Sequence, residues 1–394
     1  MLHEEGEEQV IQFCQALIKE KSYSGEENGV SNRLRDFFYR NGFDEVIVDK
    51  YGNTIGILKG SKPGKKILFD GHMDTVPVGN EKDWTYPPFG AEIHDGKIYG
   101  RGTSDMKGAI AAMACAAAHY AKDMEKNFAG EIYVAGVVHE ECFEGVAARN
   151  ISTLVKPDYV VIGEASDLNI KIGQRGRAEI QVETFGIPAH SANPERGINA
   201  VYKMAKVIEA IKRLVPSNHP VLGKGILELT DIKSSPYPGA SVVPEYCRAT
   251  YDRRLLVGET KESVLKPLED LLESLCNEDQ DLKVKVSYAA GKEKCFTKEM
   301  IEGERFFPGW LFDREEEYIV KIKSELEEMG FKPLITQYNF CTNGSHYAGE
   351  EGIKTIGMGP SKENLAHTIN EYIEIKQLTG ATKAYYGIMK ALLV

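Results

Sequence analysis

Short apolar segments of strand length alternate with helical segments through the N-terminal part of the chain, and this alternation limits the fold more than any other feature. Apolar residues of 10–18 repeat at helical spacing, whereas 67–69, 132–138 and 159–162 are short apolar runs. Strands that alternate with helices are typical of a mainly parallel sheet with flanking helices. The sequence therefore predicts an α/β protein.

The pattern changes between residues 176 and 290, where strands and helices are predicted in the order β-α-β-β-α-β. This order is that of a split βαβ, or ferredoxin-like, α+β unit. Helical periodicity returns in 314–329 and 375–393. We therefore expect a discontinuous first domain, 1–175 with 291–394, and an inserted domain, 176–290.

Charge and composition narrow the class of protein. The net charge of -11 argues against nucleic acid and anionic membranes as partners. No apolar run reaches the about 20 residues of a membrane helix, and the acidic start lacks the layout of a signal peptide. The seven cysteines form no CxxC pair, which indicates reduced thiols rather than a disulfide framework. We expect a cytoplasmic protein that binds neither nucleic acid nor membrane.

Histidines and acidic residues follow the predicted strands. In open α/β sheets, ligands and catalytic groups gather at the carboxyl ends of the strands. Imidazoles and carboxylates without cysteine fit zinc, cobalt or manganese in a hydrolytic site. The candidate residues are His72, Asp74, Asp105, Glu140, Glu141, Glu164 and His367.

The first three candidates have distinguishable roles. His72 and Asp74 are two residues apart at a strand end, so their side chains leave on the same face. Asp74 can accept the second ring N–H of a ligating His72 without touching a metal. Asp105 stands among glycines that let the backbone approach a ligand, and its carboxylate can bridge two metals. The alternative for Asp105 is an N-cap of the helix that follows.

The other four candidates complete the set. Glu140 and Glu141 are adjacent, so in an extended segment they point in opposite directions, and one can ligate metal while the other moves protons. Glu164 ends an apolar strand, where a carboxylate needs a partner such as a cation. A single histidine such as His367 is weak evidence for a metal ligand, and the other candidates make this assignment stronger.

Three residues of the inserted domain are candidates for contact with a substrate. His190 cannot be a metal ligand unless the inserted domain closes over the sheet, but it can donate a hydrogen bond to a developing oxyanion. Arg253 and Arg254 can clamp a substrate carboxylate. The alternative for the arginines is an ion pair with Asp252 or Glu259.

The motifs around these residues are, in order, Gly71–Pro77, Gly100–Gly108, Glu140-Glu141, Gly163-Glu164, Gly186–Ser191 and Ala366–Thr368. Together they resemble the M20 metallopeptidase family, which includes succinyl-diaminopimelate desuccinylase, acetylornithine deacetylase, aminoacylases, carboxypeptidases, dipeptidases and tripeptidases. The resemblance runs from about residue 8 to the C-terminus. Within the family, Gly173–Arg177 and Thr342–Gly344 are most similar to a branch of selenium-metabolism-linked hydrolases without an established substrate.

The resemblance implies two divalent metal ions, zinc before cobalt or manganese. It implies that Asp105 bridges the two ions. One ion would add His72 and Glu164, and the other would add Glu141 and His367.

The resemblance also implies a reaction. Glu140 would be the general base for a metal-activated water, Asp74 would orient His72, and the peptide bond between Asp105 and Met106 would be cis. The substrates would be small molecules or short peptides with an amide bond, so the enzyme would be a peptidase or an N-acyl amino acid deacylase. Alternatives are a carbamoyl or ureido amidohydrolase and a catalytically inactive metal-binding relative. The inserted domain would be a lid through which two chains form a homodimer.

Two positions depart from the pattern of many members. His139 stands where an aspartate precedes the paired glutamates, and Asn343–Ser345 replaces a threonine-aspartate pair. Neither change removes an expected metal ligand. The departures concern the substrate pocket.

Overall fold

The computed structural model describes residues 4–393, and the chain divides into two units. Unit 1 comprises the chain up to Gln174, Lys292–Glu302 and the chain from Leu311 onward. Unit 2 comprises Arg175–Gly291 and Gly303–Trp310.

Within residues 4–393 the α-helices are α1 (Glu4–Ile18), α2 (Asn28–Arg40), α3 (Lys107–Asp123), α4 (Ala148–Val155), α5 (Ala200–Ile211), α6 (Lys261–Glu278), α7 (Glu317–Glu328) and α8 (Ile375–Leu392). The β-strands are β1 (Glu45–Val48), β2 (Thr54–Lys59), β3 (Lys62–His72), β4 (Glu92–His94), β5 (Lys97–Tyr99), β6 (Ala129–Val137), β7 (Tyr159–Ile162), β8 (Ile170–Gln174), β9 (Gly176–Phe185), β10 (Asn218–His219), β11 (Gly223–Lys224), β12 (Ile226–Ser235), β13 (Tyr246–Leu255), β14 (Lys283–Tyr288), β15 (Ala290–Lys294), β16 (Met300–Glu304), β17 (Phe306–Phe307), β18 (Trp310–Leu311), β19 (Ile335–Tyr338), β20 (Lys354–Gly357) and β21 (Tyr372–Glu374). None of these helices is both long enough and apolar enough to cross a membrane.

The central sheet of unit 1 runs in the order β1-β2-β6-β3-β7-β20-β8, with β19 beside β8. Strand β3 is parallel to β6 and β7, and β20 is parallel to β7, whereas β2 is antiparallel to β6 and β20 is antiparallel to β8. The apolar parts of β3, β6 and β7 are almost wholly buried, as expected of parallel strands covered by helices on both faces. The predicted α/β fold with a mainly parallel sheet is confirmed.

Helix α3 is the central helix on one face of the central sheet. Nearly all of its side chains are buried, and it packs against α1, α8, β3 and β6. A helix that is apolar all round belongs in the interior, and its alanines let the neighbouring helices come close. Because α3 begins at Lys107, its packing also restricts the position of Asp105, two residues before the helix.

A separate three-stranded sheet, β21-β5-β4, brings together two loops of unit 1. Strand β5 ends at Tyr99, immediately before the Gly100–Asp105 segment, and β21 begins at Tyr372, shortly after His367. Tyr372 pairs with Tyr99 in the antiparallel register. The register therefore holds the chain that contains Asp105 next to the chain that contains His367.

Unit 2 is a four-stranded antiparallel sheet with two helices, built from β9, α5, β12, β13, α6 and β14. The strand order is β12-β13-β9-β14, and β17 adds to β9. Alternate residues of β9 are buried, and Ile180 and Val182 pack with Met204, Val207 and Leu268 in the core of the unit. The predicted ferredoxin-like α+β fold is confirmed, and a role as lid or dimer interface stays a prediction.

Gly359→Ala is expected to destabilise unit 1. A Cβ at Gly359 would lie 2.0 Å from the backbone oxygen of Gly163, which cannot move without displacing the strand end before Glu164. Overpacking of this kind should lower the free energy of unfolding by about 1–3 kcal/mol, measured by urea denaturation. The control is Gly380→Ala in α8, where the added Cβ would meet only the tip of Leu168. Equal stabilities of the two variants would contradict this packing argument.

Candidate metal centre

His72 lies at the carboxyl end of β3, in the middle of the central sheet. Its side chain is 1% exposed. The ring Nε2 is 2.9 Å from Asp105 Oδ1 and 3.4 Å from Glu164 Oε1. Glu164 follows β7, which is parallel to β3, so the sheet itself places these two side chains at one edge. A buried imidazole therefore faces two buried carboxylates.

His367 forms a second cluster around the same aspartate. Its Nε2 is 3.0 Å from Asp105 Oδ2 and 3.1 Å from Glu141 Oε2. The His367 side chain is 52% exposed and its backbone has a φ of 61°. The carboxylate of Asp105 thus presents one oxygen to each imidazole, so it stands between two donor sets.

These donor sets fit divalent cations. Ligand atoms of a four-coordinate zinc, at about 2.1 Å from the metal, are separated by roughly 3.4 Å, which is close to the distances in both clusters. His72, Glu140 and Glu164 offer ligand atoms within 4.8 Å of one another, as do His72, Asp105 and Glu141. Buried carboxylates are unfavourable unless positive charge compensates them, and a bound metal ion would supply that charge.

The electrostatics of the cluster favour a positive charge. Burial, reinforced by the charge of Glu164, raises the pKa of Glu140 well above its ordinary value. Burial and the charge of Asp105 raise the pKa of Glu141 to about 7. Hydrogen bonds to Asp105 and Glu141 raise the pKa of His367 to about 10. Surroundings that stabilise a proton this strongly also stabilise a metal cation.

Asp105 does not cap the helix that follows it. The residue at the N-cap of α3 is Met106, and its side chain makes no capping hydrogen bond. The peptide bond between Asp105 and Met106 is cis, as the family resemblance implied. Both carboxylate oxygens of Asp105 are directed at imidazoles instead.

Asp74 lies beneath the cluster and holds the backbone around it. Its carboxylate accepts hydrogen bonds from Ser24 Oγ at 2.7 Å and from the N–H groups of Glu140 and Glu141 at 3.1 Å each. His72 Nδ1 is 2.9 Å from the backbone oxygen of Asp74 and 3.6 Å from its Oδ1. Asp74 therefore sets both the ring of His72 and the turn that carries the paired glutamates.

The expectation that Glu140 and Glu141 occupy an extended segment is wrong. Strand β6 ends at Val137, and the chain then turns through His139, whose φ is 55°. The turn still separates the two carboxylates. Glu140 Oε2 is 4.0 Å from His72 Nε2, whereas Glu141 faces His367.

Glu27 is a further buried carboxylate that binds this turn. Its Oε1 accepts the N–H of His139 at 3.2 Å and that of Gly25 at 2.9 Å. Burial, and to a smaller extent the charge of Asp74, raises the pKa of Glu27 to about 7. Three successive N–H groups, from His139 to Glu141, thus donate to Glu27 and Asp74.

Glu371, which no sequence pattern identified, holds the Asp105 segment. Its Oε1 accepts the N–H groups of Gly102 at 3.0 Å, Ser104 at 2.8 Å and Asp105 at 3.1 Å. Its Oε2 accepts from Arg101 Nη1 at 2.6 Å. The only signal in the sequence is that Glu371 follows His367 closely, and no spacing rule identifies its partners.

Asp70 was also missed, although it lies on β3 two residues before His72. It accepts hydrogen bonds from Asn343 Nδ2 at 2.9 Å and Tyr347 Oη at 2.8 Å. Asn343 Oδ1 in turn accepts the N–H of Gly145. Asn343, one of the residues that depart from the pattern of the family, is therefore bound to the strand that carries His72.

The remaining candidates belong to unit 2. His190 is exposed, and its Nδ1 accepts the N–H of Ala192 at 3.0 Å. Arg253 is buried and bonds to Glu259 at 2.5 Å, and Arg254 pairs with Asp252 at 2.8 Å. These ion pairs are the alternative that the sequence left open for the arginines, and a substrate contact for any of the three residues stays a prediction.

Comparisons with known proteins agree with the fold. The family model described as Peptidase family M20/M25/M40 matches residues 68–391. The Uncharacterized protein YgeY of Escherichia coli (strain K12) is 32% identical over 385 residues, which cover 96% of this chain and 93% of that protein. Succinyl-diaminopimelate desuccinylase 2 of Ruegeria sp. (strain TM1040) is 26% identical over 392 residues, which cover 96% and 93%.

Solved structures share the fold over the whole chain. Aminopeptidase PepT from Bacillus cereus superposes with a TM-score of 0.74 at 22% identity and covers 98% of both chains. The Bacillus subtilis YXEP protein, described as a dinuclear metal binding peptidase from the M20 family, has a TM-score of 0.73 at 12% identity and covers 100% of both.

The α/β unit with its donor clusters and the α+β unit inserted into it define a class of metallohydrolase. This chain belongs to peptidase family M20/M25/M40. It is an enzyme, a hydrolase of the peptidase and desuccinylase type.

Glu27→Gln is expected to change how stability depends on pH. The folded-state pKa of about 7 lies above the ordinary value of 4.5, so between these values the folded protein binds a proton that the unfolded chain releases. The contribution of Glu27 to stability therefore falls as pH rises through that range. Glutamine does not ionise, so the melting temperature of the variant relative to wild type should rise from about pH 5 to about pH 8.

The control for this prediction is the exposed neighbour Glu26, which pairs with Lys21 at 3.8 Å. Glu26→Gln should show a difference from wild type that is nearly constant over the same pH range. A constant difference for Glu27→Gln as well would contradict the assignment of a raised pKa.

Proposed function

We propose that the protein is a metal-dependent amide hydrolase of small substrates, either a peptidase or a deacylase of N-acyl amino acids. The observation that carries the proposal is the position of Asp105, which presents one carboxylate oxygen to His72 and the other to His367. A carboxylate between two sets of imidazole and carboxylate donors is the arrangement that a pair of divalent cations requires.

The proposed ligands are those that the family resemblance implies, and the distances are compatible with them. Asp105 would be shared by both cations. His72 and Glu164 would complete one subsite, and Glu141 and His367 would complete the other. The donor atoms are nitrogen and oxygen only, which suits zinc and is also compatible with cobalt or manganese.

Different residues of the chain would have different roles in amide cleavage. When bound, two cations supply an activated water and positive charge at the carbonyl oxygen. The Nδ1–H of His72 donates to the backbone oxygen of Asp74, which leaves Nε2 as the ligand atom. Glu140 is buried beside this ring, and its raised pKa suits a base that takes the proton of the water and returns it to the leaving amine.

The roles in unit 2 are proposals that rest on the resemblance to the family. His190 would donate a hydrogen bond to the oxyanion as the tetrahedral species forms. To bind a substrate carboxylate, Arg253 would have to release Glu259, or Arg254 would have to release Asp252. Unit 2 would also form the interface of a homodimer, and the enzyme would act in the cytoplasm.

Glu140→Gln should abolish turnover without removing the metal. The amide keeps the size of the side chain but accepts no proton, so kcat should fall by about 10²–10⁴-fold or more. Metal content, measured by mass spectrometry of the purified protein, should stay near two per chain. The control is Glu131→Gln at the other end of β6, which should keep wild-type activity. Retained activity of Glu140→Gln would refute the assignment of the base.

His190→Ala should lower kcat far more than the affinity for the cations. A matched control exists in unit 2, because His219 also accepts a backbone N–H at its Nδ1. His219→Ala should leave both quantities unchanged. An unchanged rate for His190→Ala would remove this residue from the mechanism.

The function itself is tested with a mixed panel of dipeptides and N-acyl amino acids, assayed with added zinc, cobalt or manganese. Cleavage that depends on the cation is expected, and the products show whether the enzyme is a peptidase or a deacylase. Inactivity on the whole panel, with two cations bound, would contradict both forms of the proposal and leave a carbamoyl or ureido substrate. Failure to bind any cation would contradict the mechanism itself.

A further inference from the structure

A buried ion pair connects the two loops that hold one of the two proposed subsites. Glu371 is 0% exposed and Arg101 is 3% exposed, and their side chains meet at 2.6 Å. We call this pair the Arg101–Glu371 latch. Its two residues lie on the loops that the three-stranded sheet brings together.

The Glu371 end of the latch determines the backbone path to Asp105. Three N–H groups, from Gly102, Ser104 and Asp105, converge on a single oxygen of Glu371. Hydrogen bonds to a charged acceptor are stronger than neutral ones. The position of the Asp105 backbone therefore depends on the carboxylate of Glu371.

The Arg101 end of the latch determines the path next to His367. Arg101 Nη1 donates to the backbone oxygen of Thr368 at 3.2 Å, and Nη2 donates to that of Pro77 at 3.4 Å. The guanidinium lies over the ring of Trp84, 5.3 Å from its centroid. Arg101 thus fixes the residue immediately after His367 while it binds Glu371.

The two histidines differ in how they are supported. His72 lies on a central strand and is 1% exposed, so the sheet holds it in place. His367 lies in a loop, its side chain is 52% exposed, and its neighbour Thr368 is bound by Arg101. The subsite of His367 therefore depends on loop contacts much more than the subsite of His72.

We propose that the Arg101–Glu371 latch sets the distance between His367 Nε2 and Asp105 Oδ2 and thereby controls the cation affinity of the subsite formed by Asp105, Glu141 and His367. Arg101 and Glu371 are positioning residues in this account, since neither touches the cation or the substrate. The inference rests on the two-cation centre proposed above.

A purely structural ion pair would behave differently. Its loss would lower the melting temperature, but it would leave both subsites unchanged or weaken both alike. Buried ion pairs are weak evidence for stability in themselves, so stability alone cannot test the latch. The experiment therefore has to measure the cation affinity of each subsite separately.

The test is a zinc titration of the chelator-stripped full-length chain, with a competing chromophoric chelator to resolve two dissociation constants. Glu371→Gln keeps the size of the side chain, and its amide oxygen still accepts the three N–H groups. Its NH₂ group, however, faces the guanidinium of Arg101, so two donors oppose each other. One of the two zinc affinities should fall by about 10–100-fold, as for other residues that support metal ligands, while the second stays within about 3-fold.

Two further variants keep the test decisive. Glu374→Gln is the matched control, because Glu374 lies on β21 close to Glu371 but pairs with Lys376 at 2.8 Å and should leave both affinities unchanged. Arg101→Lys keeps the positive charge but replaces the planar two-nitrogen fork that bonds Thr368, Pro77 and Glu371 with a single nitrogen, so it should weaken the same single affinity by a smaller factor. If circular dichroism shows that Glu371→Gln does not fold, the zinc affinities of Arg101→Lys test the latch in its place.

The outcomes distinguish the latch from the proposed function. Selective weakening of one affinity in Glu371→Gln, with a smaller change in Arg101→Lys, is the predicted result. Two unchanged affinities, or equal weakening of both, would overturn the latch while the two-cation centre stands. Wild-type protein that binds fewer than two zinc ions would overturn the two-cation centre and the latch with it, and a wild-type protein that binds no cation would also overturn the proposed function.

Discussion

The structure depends on a concentration of buried negative charge at the carboxyl edge of the central sheet. Asp105, Glu140 and Glu164 are each less than a tenth exposed, and their nearest ionisable partner is His72. Like charges in a poorly solvated site repel, and burial of each carboxylate opposes folding unless a cation is present. In the proposed mechanism, the cations that relieve this repulsion would also activate the water that attacks the substrate.

A second set of carboxylates satisfies the backbone instead of a cation. The ligand-bearing loops lie outside the sheet ladders, so their N–H groups need other acceptors. Asp74 and Glu27 accept those of the turn that carries Glu140 and Glu141, and Glu371 accepts those of the segment that ends in Asp105. Side chains far apart in sequence therefore fix irregular backbone next to the reacting atoms, as preorganised sites require.

The sequence predicted the features that depend on local periodicity. It did not predict the contacts that depend on residues far apart in the chain. Strands, helices and the order of the inserted unit follow from apolar spacing, and strand ends account for His72 and Glu164. Asp105 follows a strand of the small three-stranded sheet rather than of the central sheet, so the strand-end rule found it without explaining its position. Nothing local in the sequence indicates the partners of Glu371.

The measurement that tests the central claim most directly is anomalous diffraction at the zinc edge, from crystals grown with zinc. The account predicts two peaks about 3.5–4 Å apart, one on each side of the Asp105 carboxylate, with His72 at one and His367 at the other. A single peak that both imidazoles share, or peaks remote from Asp105, would contradict it.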